Sequence, residues 1–525
     1  MAKDGKNVVN LDALIPRADL FEQTTAVNAD STSLRITDLE PGVMYGLLRK
    51  PDFQRETANW TPRQVVNLIE TFCDSDIIPA IILWQNGSQV FVVDGAHRLS
   101  ALVAWVHNDF GAGAKSQAMF DGKIPDHQRA MAEQTAELLN QSVGPWATYK
   151  TANAILSMKQ LPVQWIEGRS AAQAASAFIR INQGGTVIDQ LEVRILTEAR
   201  SALSVATRVI ARGGRGHAYW QHFSKDEAKA KTPTLGAEIY KLLYDPLLEL
   251  PIKTIEVPLA GLGYGPAVIR FAFDLVAQAN DLTVPDSTRK VKPGEAKRGD
   301  DLEGTETLAY LKKAKRAVQM ILSNQPFSLG LHPALYFYTA GGAFQPAAFL
   351  NILVWVTSLE KSGRLDSFRK VRGAFEDLIL AHPNMIKPSV HRLGTGTRTR
   401  SRMIELLDKI LERLTETPET QTAWQALKTD FPNLATEEPA DSDESAGVGK
   451  KFSETAKNAV TMSDLHAAPR CRLCNGLLHR NGKVVDHIDE KSKGGSSHSK
   501  NGRWVHPICN SNREKDLLQA AKKPS

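Results

Sequence analysis

The spacing of apolar positions divides the chain into a mixed first part and a mainly helical second part. A helix-periodic stretch, TPRQVVNLIETFCD, precedes two β-rich runs, AIILW and QVFVVDG, which are separated by the turn signal Gln85-Asn86-Gly87. Residues 125–210 and 211–430 carry mostly helical patterns, with breaks at 182–186 and near 283–304. This pattern predicts an α+β chain of several domains, because 525 residues exceed what one hydrophobic core accommodates.

Changes in composition mark the boundaries between segments. The first 35 residues are polar and weakly patterned, as in an N-terminal arm. An acidic stretch that contains Ser, Pro and Gly but no aromatic residue (433–450) has the composition of a linker. The predicted segments are an arm (1–35), a first α+β domain (36–210), a mainly helical domain (211–432), a flexible acidic linker (433–467) and a C-terminal domain (468–525).

Composition and charge restrict the class of partner. The chain is 42% hydrophobic and 23% charged, which is ordinary for a globular protein. It has no run of eighteen apolar residues, and its first residues lack the apolar segment of a secretory signal, so we expect a cytoplasmic protein without a membrane partner. From Cys471 to Ser525, eleven basic residues outnumber five acidic ones, an excess equal to the +6 of the whole chain. A polyanionic partner suits this balance, and a basic tail that only aids solubility is the simpler alternative.

Three of the four cysteines fall in the basic C-terminal segment. Cys471-x-x-Cys474 forms one pair, and His506-x-x-Cys509 follows as a second. Two pairs at this spacing predict a closed tetrahedral zinc site, which a domain of about fifty residues needs for stability. The alternative is two unrelated pairs and a histidine placed by chance.

Between the two pairs lies a β-like run, Val484–Ile488, that contains Asp486-His487. These residues resemble the HNH nuclease family in its McrA-like branch, written CxxC…DHI…GG…N…CxxCN, with His506 where that branch usually has cysteine. The resemblance implies a ββα-metal fold with a structural zinc and a catalytic Mg2+ or Mn2+. A zinc ribbon without catalytic activity remains the alternative.

The HNH resemblance also implies a role for each polar residue of this region. Asp486 and Asn510 would ligate the catalytic metal, since hard cations prefer oxygen ligands, and His487 would act as the general base. Asn501 would hold the loop that orients His487, and Arg513 could contact phosphate. Two further histidines are expected to be exposed loop residues: His479 and His498.

Three further blocks lie in the first 200 residues: PDFQR at 51–55, VVDGAHRLSAL at 92–102 and FIRINQGGT at 178–186. In the second block, Asp94-Gly95 allows a tight turn, and the next helix can present backbone N–H groups and Arg98 to an anion. The alternative is that Asp94 caps the helix and Arg98 forms a buried ion pair.

In this order the three blocks resemble the N-terminal domain of GmrSD-type modification-dependent restriction enzymes, which has a ParB/sulfiredoxin-like fold. That family writes the blocks as QR, DGQQR and F-x-R-I/L-N-x-G, so Ala96-His97 replaces two glutamines here. The resemblance implies a nucleotide site, with NTP as a candidate ligand and NTPase activity as a candidate function. The residues it implies for that site are Gln54, Arg55, Asp94, Gly95, His97, Arg98 and Asn182.

Together these features predict a DNA endonuclease of a bacterial defence system, in which a sensor of nucleotide or modified DNA controls an HNH tail. Two alternatives remain open: a ParB-like nucleotide-dependent DNA-binding regulator with a non-catalytic zinc module, and a mobile-element endonuclease. Modified foreign DNA is the expected partner, and a homo-oligomer is compatible with the sequence. Cys73 is expected in the core, whereas the arginine-rich stretch 391–402 fits either a DNA-backbone contact or a solvated loop.

Overall fold

The computed structural model of the chain comprises two compact units. The first unit is formed by residues 1–237, 264–273 and 285–308, and the second by 238–263, 274–284 and 309–525. The residues described here are 8–18, 32–51, 54, 57–120, 122, 124–152, 159–167, 173, 190–248, 250–263, 267–283, 297–383, 385, 397–431 and 452–513.

A six-stranded mixed sheet forms the centre of the first unit. Its strand order is β1-β3-β5-β4-β6-β2, and the pairs β1–β3, β3–β5 and β4–β6 are parallel, whereas β4–β5 and β2–β6 are antiparallel. The strands are β1 (Arg17–Ala18), β2 (Ser33–Arg35), β3 (Leu48–Pro51), β4 (Ile81–Asn86), β5 (Gln89–Asp94) and β6 (Gln160–Ile166). The predicted α+β class is therefore confirmed, and so is the hairpin between the two β-rich runs.

Eight helices accompany the sheet in the described part of the chain before residue 212. They are α1 (Val43–Leu47), α2 (Pro62–Asp74), α3 (Ala96–His107), α4 (Ala114–Met119), α5 (Asp126–Asn140), α6 (Trp146–Ala152), α7 (Gln190–Thr197) and α8 (Ala202–Ala211). Helix α2 shows how the sequence sets them: Thr61 and Gln64 form a reciprocal capping box, and Pro62 occupies the first turn. Its apolar positions then fall on one face and enter the core of the unit.

The polar first segment is not entirely an arm. Val9, Leu11, Leu14 and Ile15 are each at most 1% exposed and belong to the core of the first unit. Strand β6 also lies in a stretch where the pattern indicates helices. Burial of these apolar side chains stabilises the first segment together with the rest of the unit, so part of the predicted N-terminal arm belongs to the core.

Helices dominate the described chain beyond residue 225. They are α9 (Asp226–Tyr244), α10 (Ala267–Ala279), α11 (Thr305–Ile321), α12 (Pro333–Tyr336), α13 (Pro346–Lys361), α14 (Leu365–Ala381), α15 (Thr397–Glu416), α16 (Thr420–Asp430) and α17 (Glu454–His466). Among the helices described, none is long and apolar enough to cross a membrane.

Helix α17 lies inside the segment 433–467, for which the composition predicts a flexible linker. Ser453 caps the helix, and its Met462 and Leu465 are buried. The Asn458 side chain accepts a hydrogen bond of 2.8 Å from the backbone N–H of Ile252. This part of the segment is thus packed helix, and the acidic part of the predicted linker, 433–450, lies outside the described residues.

The C-terminal region continues with two strands and a short helix. Strands β7 (Val484–His487) and β8 (Gly502–Val505) pair in an antiparallel hairpin, and α18 (Pro507–Ser511) follows directly. The order is strand, strand, helix, and the β-run predicted at Val484–Ile488 is confirmed as β7.

Candidate functional site: a metal-binding C-terminal region and a sheet-edge motif

Four side chains of the C-terminal region converge as the cysteine spacing predicts. The Sγ atoms of Cys471, Cys474 and Cys509 and a ring nitrogen of His506 all lie within 4.8 Å of one another, and all four residues are buried. The first pair sits on a turn that Asn475 closes in the left-handed conformation (φ 58°). The second pair spans the start of α18, where His506 is the N-cap. Two distant turns therefore bring the four ligands together.

The histidine of this cluster is oriented for metal ligation. His506 Nδ1 lies 3.2 Å from the Sγ atom of Cys474, while Nε2 lies 2.9 Å from the carbonyl oxygen of Leu477. A proton on Nε2 that is donated to this carbonyl leaves Nδ1 as the ligand atom, which is the usual support for a metal-bound imidazole. Burial also lowers the pKa of His506 and favours its neutral form. Three sulfur donors and one nitrogen donor fit zinc.

Asp486 lies on β7 opposite Arg503 of β8 and is 5% exposed. Its Oδ2 accepts a hydrogen bond of 2.8 Å from Arg503 Nε, and its Oδ1 accepts one of 2.9 Å from Arg513 Nη1. Arg513 also donates to the carbonyl oxygens of His487 and Ile488. Arg513, suggested above as a phosphate contact, therefore fixes the end of β7, and Arg503 is a partner that the motif did not reveal.

The other residues of the HNH pattern surround the end of β7. His487 is half-buried and pairs with Gly502 of β8, and Asn510 is exposed on α18. The Asn501 side chain accepts from the N–H of Asp489 at 2.7 Å and donates to the carbonyl oxygens of Asp489 at 3.1 Å and Ser496 at 2.7 Å. Asn501 thus closes the loop that follows His487, which is the position expected of a residue that holds this loop.

The two histidines expected in exposed loops, His479 and His498, differ in their exposure to solvent. His498 is exposed, as predicted. His479 is fully buried, so that expectation is wrong: its Nε2 lies 3.1 Å from both the carbonyl oxygen of Val257 and Oε2 of Glu256. Burial lowers the pKa of His479 to about 4 and raises the pKa of Glu256.

A buried ion pair connects the first cysteine turn to α14. Arg372 and Glu376 are at most 1% exposed and lie 2.7 Å apart. Glu376 Oε2 accepts a hydrogen bond of 2.5 Å from the backbone N–H of Leu477, and its Oε1 accepts one of 3.1 Å from the hydroxyl of Tyr336. Arg372 donates to the carbonyl oxygens of Leu329 and Gly330. The first cysteine turn is therefore held by helical parts of the same unit.

In the first unit, the Asp94-Gly95 turn follows the carboxyl end of β5. Gly95 has a φ of 87°, and a Cβ atom there would lie 2.7 Å from Ile81 Cδ1, so any other residue would be strained at this position. Arg98 lies 2.6 Å from Asp94 Oδ2 and donates to the carbonyl oxygens of Pro79 and Ala80 at 2.5 and 3.3 Å. Asp94 and Arg98 therefore form an ion pair, but it is partly exposed and not buried as the simpler alternative requires, and Asp94 does not cap α3.

Gln54 follows the carboxyl end of β3, which is parallel to β5, so the first two sequence blocks lie at one edge of the sheet. The backbone carbonyl of Gln54 accepts a hydrogen bond of 2.5 Å from Arg17, and the ring of His97 lies 5.7 Å from that of Trp60. Arg55, Asn182 and the rest of the third block lie outside the described residues.

Two weaker sequence signals concern Cys73 and the arginine-rich stretch 391–402. Cys73 packs against the core of the first unit, and burial raises the pKa of its thiol, as expected for a structural cysteine. In the arginine-rich stretch, residues 391–396 lie outside the described residues, and the side chain of Arg400 donates to Gln278 at 2.9 Å.

Comparison with known proteins finds one similarity, and it lies within the first unit. No curated protein and no solved structure shows significant similarity to the chain. Residues 42–195 match the family described as the GmrSD restriction endonuclease, N-terminal domain. This range contains the sheet-edge blocks described above and covers less than half of the chain. Residues 42–195 are therefore similar to the N-terminal domain of the GmrSD restriction endonuclease family, and this similarity supports a restriction-system nuclease with DNA as its partner.

Proposed function

We propose that the C-terminal region is an HNH nuclease and that the protein cuts or nicks DNA as part of a bacterial restriction system. The observation that carries the proposal is the placement of Asp486-His487 at the end of β7, beside β8 and α18. Both residues also lie between the two pairs of candidate zinc ligands in the sequence. A strand–strand–helix order stapled by zinc is the arrangement that the HNH resemblance implies. The family match of residues 42–195 supports the restriction-system setting.

His487 is the proposed general base, because a neutral imidazole accepts a proton from water near pH 7. Asn501 positions it by closing the adjacent loop, and Arg513 holds its backbone through the carbonyl oxygen. Asp486 and Asn510 supply oxygen donors, which fit a hard divalent ion. Mg2+ or Mn2+, when bound, would neutralise charge on the scissile phosphate.

The pairing of Asp486 with two arginines favours a second candidate function. Both carboxylate oxygens already accept hydrogen bonds from guanidinium groups, and these positive charges oppose a cation at the same carboxylate. A zinc-stapled DNA-binding module without catalysis, in a ParB-like nucleotide-dependent regulator, agrees with this geometry. In that case Asp486 would hold the two arginines in place, and no catalytic metal would be needed.

The first unit is the proposed sensor of nucleotide or modified DNA. Gln54, Gly95 and His97 lie at the carboxyl edge of parallel strands, where α/β sheets commonly bind ligands. A ParB/sulfiredoxin-like nucleotide site that also includes Arg55 and Asn182 is part of this proposal. The pairing of Arg98 with Asp94 means that a nucleotide phosphate would have to compete for that guanidinium group.

The test is a digestion panel with the full-length zinc-loaded protein, using modified and unmodified DNA with Mg2+ and with or without NTP. We expect the wild type and His498→Ala to cleave modified DNA, and His487→Ala to lose at least about 100-fold in rate. Full cleavage by His487→Ala would refute the HNH mechanism. DNA binding without any cleavage by the wild type would support the regulator, and equal cleavage of all substrates would refute the sensor.

A further inference from the structure

The C-terminal hairpin exposes two large apolar side chains to which the catalytic proposal gives no role. Val485 of β7 is 56% exposed, and Trp504, which lies opposite it on β8, is 47% exposed. Exposed apolar residues that are scattered singly are ordinary, whereas neighbouring ones within a polar rim mark an interaction surface. The pair therefore indicates a surface that contacts a partner.

The proposed general base lies on the same side of the hairpin. Successive residues of a strand point to opposite faces, so Val485 and His487 share one face and Asp486 lies on the other. His487 lies opposite Gly502, and Trp504 is two residues further along β8. A Cβ atom on Gly502 would lie 3.2 Å from Val485 Cγ1, which places Gly502 on this face as well. One surface, the hairpin face, is therefore formed by Val485, His487, Gly502 and Trp504.

Gly502 leaves space in front of His487 on the hairpin face. Because glycine has no side chain, β8 places no group across the imidazole at this position. Trp504 is the diagonal neighbour of His487, and such neighbours lie roughly 7–8 Å apart in an antiparallel pair. The indole ring therefore lies beside the place where the proposed base would meet a phosphodiester.

Positive charge surrounds Trp504. The ammonium group of Lys483 lies 4.4 Å from the centroid of the Trp504 ring, in a cation–π contact. The backbone N–H of the exposed Arg472 donates to the carbonyl oxygen of Trp504 at 3.2 Å, so Arg472 belongs to the rim of the hairpin face. Residues 471–513 contain eight basic residues and only three acidic ones. An aromatic ring within a cationic rim complements a nucleic acid, which offers both flat bases and phosphates.

We propose that Trp504 stacks on an unpaired DNA base next to the scissile phosphate, while Lys483 and Arg472 contact the neighbouring phosphates. Stacking on an aromatic ring tolerates any base, but it needs an uncovered base face, which a paired base inside a duplex lacks. The preferred substrate is therefore DNA in which a base near the cut is mismatched, bulged or flipped out. This inference rests on the proposed HNH function and adds the class of DNA that the site prefers.

The experiment measures, by fluorescence anisotropy, how tightly the full-length zinc-loaded protein binds labelled DNA without added Mg2+ or Mn2+, so that the DNA stays intact. The probes are a fully paired duplex and the same duplex with one bulged base. We expect the wild type to bind the bulged duplex at least about tenfold more tightly than the paired one. Trp504→Leu should reduce this ratio to less than about threefold, whereas Trp504→Phe keeps an aromatic ring and should retain most of the ratio.

Phe452→Leu is the matched control, because it removes another exposed aromatic ring (73% exposed) that lies outside the hairpin, and it should keep the full ratio. Equal affinity of the wild type for the two duplexes would overturn the proposal. If Trp504→Leu is folded in a thermal melt and leaves binding to both duplexes unchanged, the hairpin face serves a protein partner and the proposal fails.

Cleavage assays with Mg2+ separate this inference from the proposed function. Cleavage by the wild type without any preference for bulged DNA in binding would refute the stacking contact and leave the nuclease intact. A preference for bulged DNA that depends on Trp504, without cleavage, would support the stacking contact and refute the nuclease.

Discussion

Glu376 on α14 accepts a hydrogen bond of 2.5 Å from the backbone N–H of Leu477, a residue 101 positions later in the chain. The same carboxylate pairs with Arg372, and both side chains are buried. Its charge, despite the cost of burial, raises the pKa of Arg372. The first cysteine turn of the C-terminal region thus depends on an ion pair in another part of the unit.

Replacing Glu376 by glutamine should destabilise the protein strongly, because Arg372 would remain buried without a countercharge. We expect a loss of about 3–5 kcal/mol in the free energy of unfolding. The neighbouring Asp377→Asn is the matched control. Asp377 pairs with Arg470 at the surface, so its loss should cost only about 0–1 kcal/mol. Urea unfolding of both variants measures the difference, and equal stabilities would contradict a structural role for the buried pair.

The Cys3His cluster should hold one zinc per chain. Cys474→Ala should lose the metal and lower the melting temperature, since structural zinc contributes folding free energy directly. His506→Cys should keep the metal, because four thiolates also form a tetrahedral site. The measurement is the zinc content per chain of the purified wild type and of each variant. Cys73→Ala is the control and should retain full zinc, whereas zinc retention in Cys474→Ala would contradict the site.

Asn501 should act by positioning the loop after His487 and not by chemistry of its own. Asn501→Ala removes all three side-chain hydrogen bonds to Asp489 and Ser496, so cleavage should fall by about 10- to 100-fold. Asn501→Asp keeps the acceptor for the Asp489 N–H, so its cleavage rate should fall less than that of Asn501→Ala. The pH dependence of cleavage should keep its shape in both, because the base is unchanged. A shifted pH profile in Asn501→Ala would show instead that Asn501 tunes the base.

Acid should destabilise the second unit partly through His479. Burial lowers the pKa of its imidazole to about 4, whereas the unfolded chain takes up the proton near pH 6.5. The stability that follows from this difference is complete above about pH 6.5 and is lost as the pH falls towards 4. Between these values the wild type should lose roughly 3 kcal/mol more than His479→Gln.

The comparison with His479→Gln separates this effect from acid release of zinc, which both proteins share. Unfolding free energies at several pH values from 7 to 4 provide the measurement. If the free energy of unfolding changes with pH in the same way for both proteins, the pKa of His479 does not differ between the folded and the unfolded state.

Local signals in the sequence predicted local structure well. The Gln85-Asn86-Gly87 turn gives the β4–β5 hairpin, and Thr61 with Gln64 gives the start of α2. Strand β6 was not predicted because it contains Pro162, and proline normally disfavours a strand. The strand nevertheless pairs on both sides, with β4 and with β2.

Residues whose environment comes from distant parts of the chain could not be placed from the sequence. The burial of His479 depends on Val257, 222 positions earlier, and that of Arg372 depends on Leu329 and Gly330. Cysteine spacing, by contrast, reports a metal site directly, since ligand geometry limits the spacing. The metal cluster was therefore predictable, whereas its attachment to α14 was not.

That attachment limits how the C-terminal region can be exchanged between proteins. A tail grafted onto a new host would carry the N–H of Leu477 without its acceptor and the imidazole of His479 without its partners at residues 256–257. The host would need to offer a carboxylate and a carbonyl oxygen at matching positions. A gene fusion that joins only residues 468–525 to another domain would therefore give a soluble, well-folded product only if its new surface repeats the contacts of α14 and of residues 256–257.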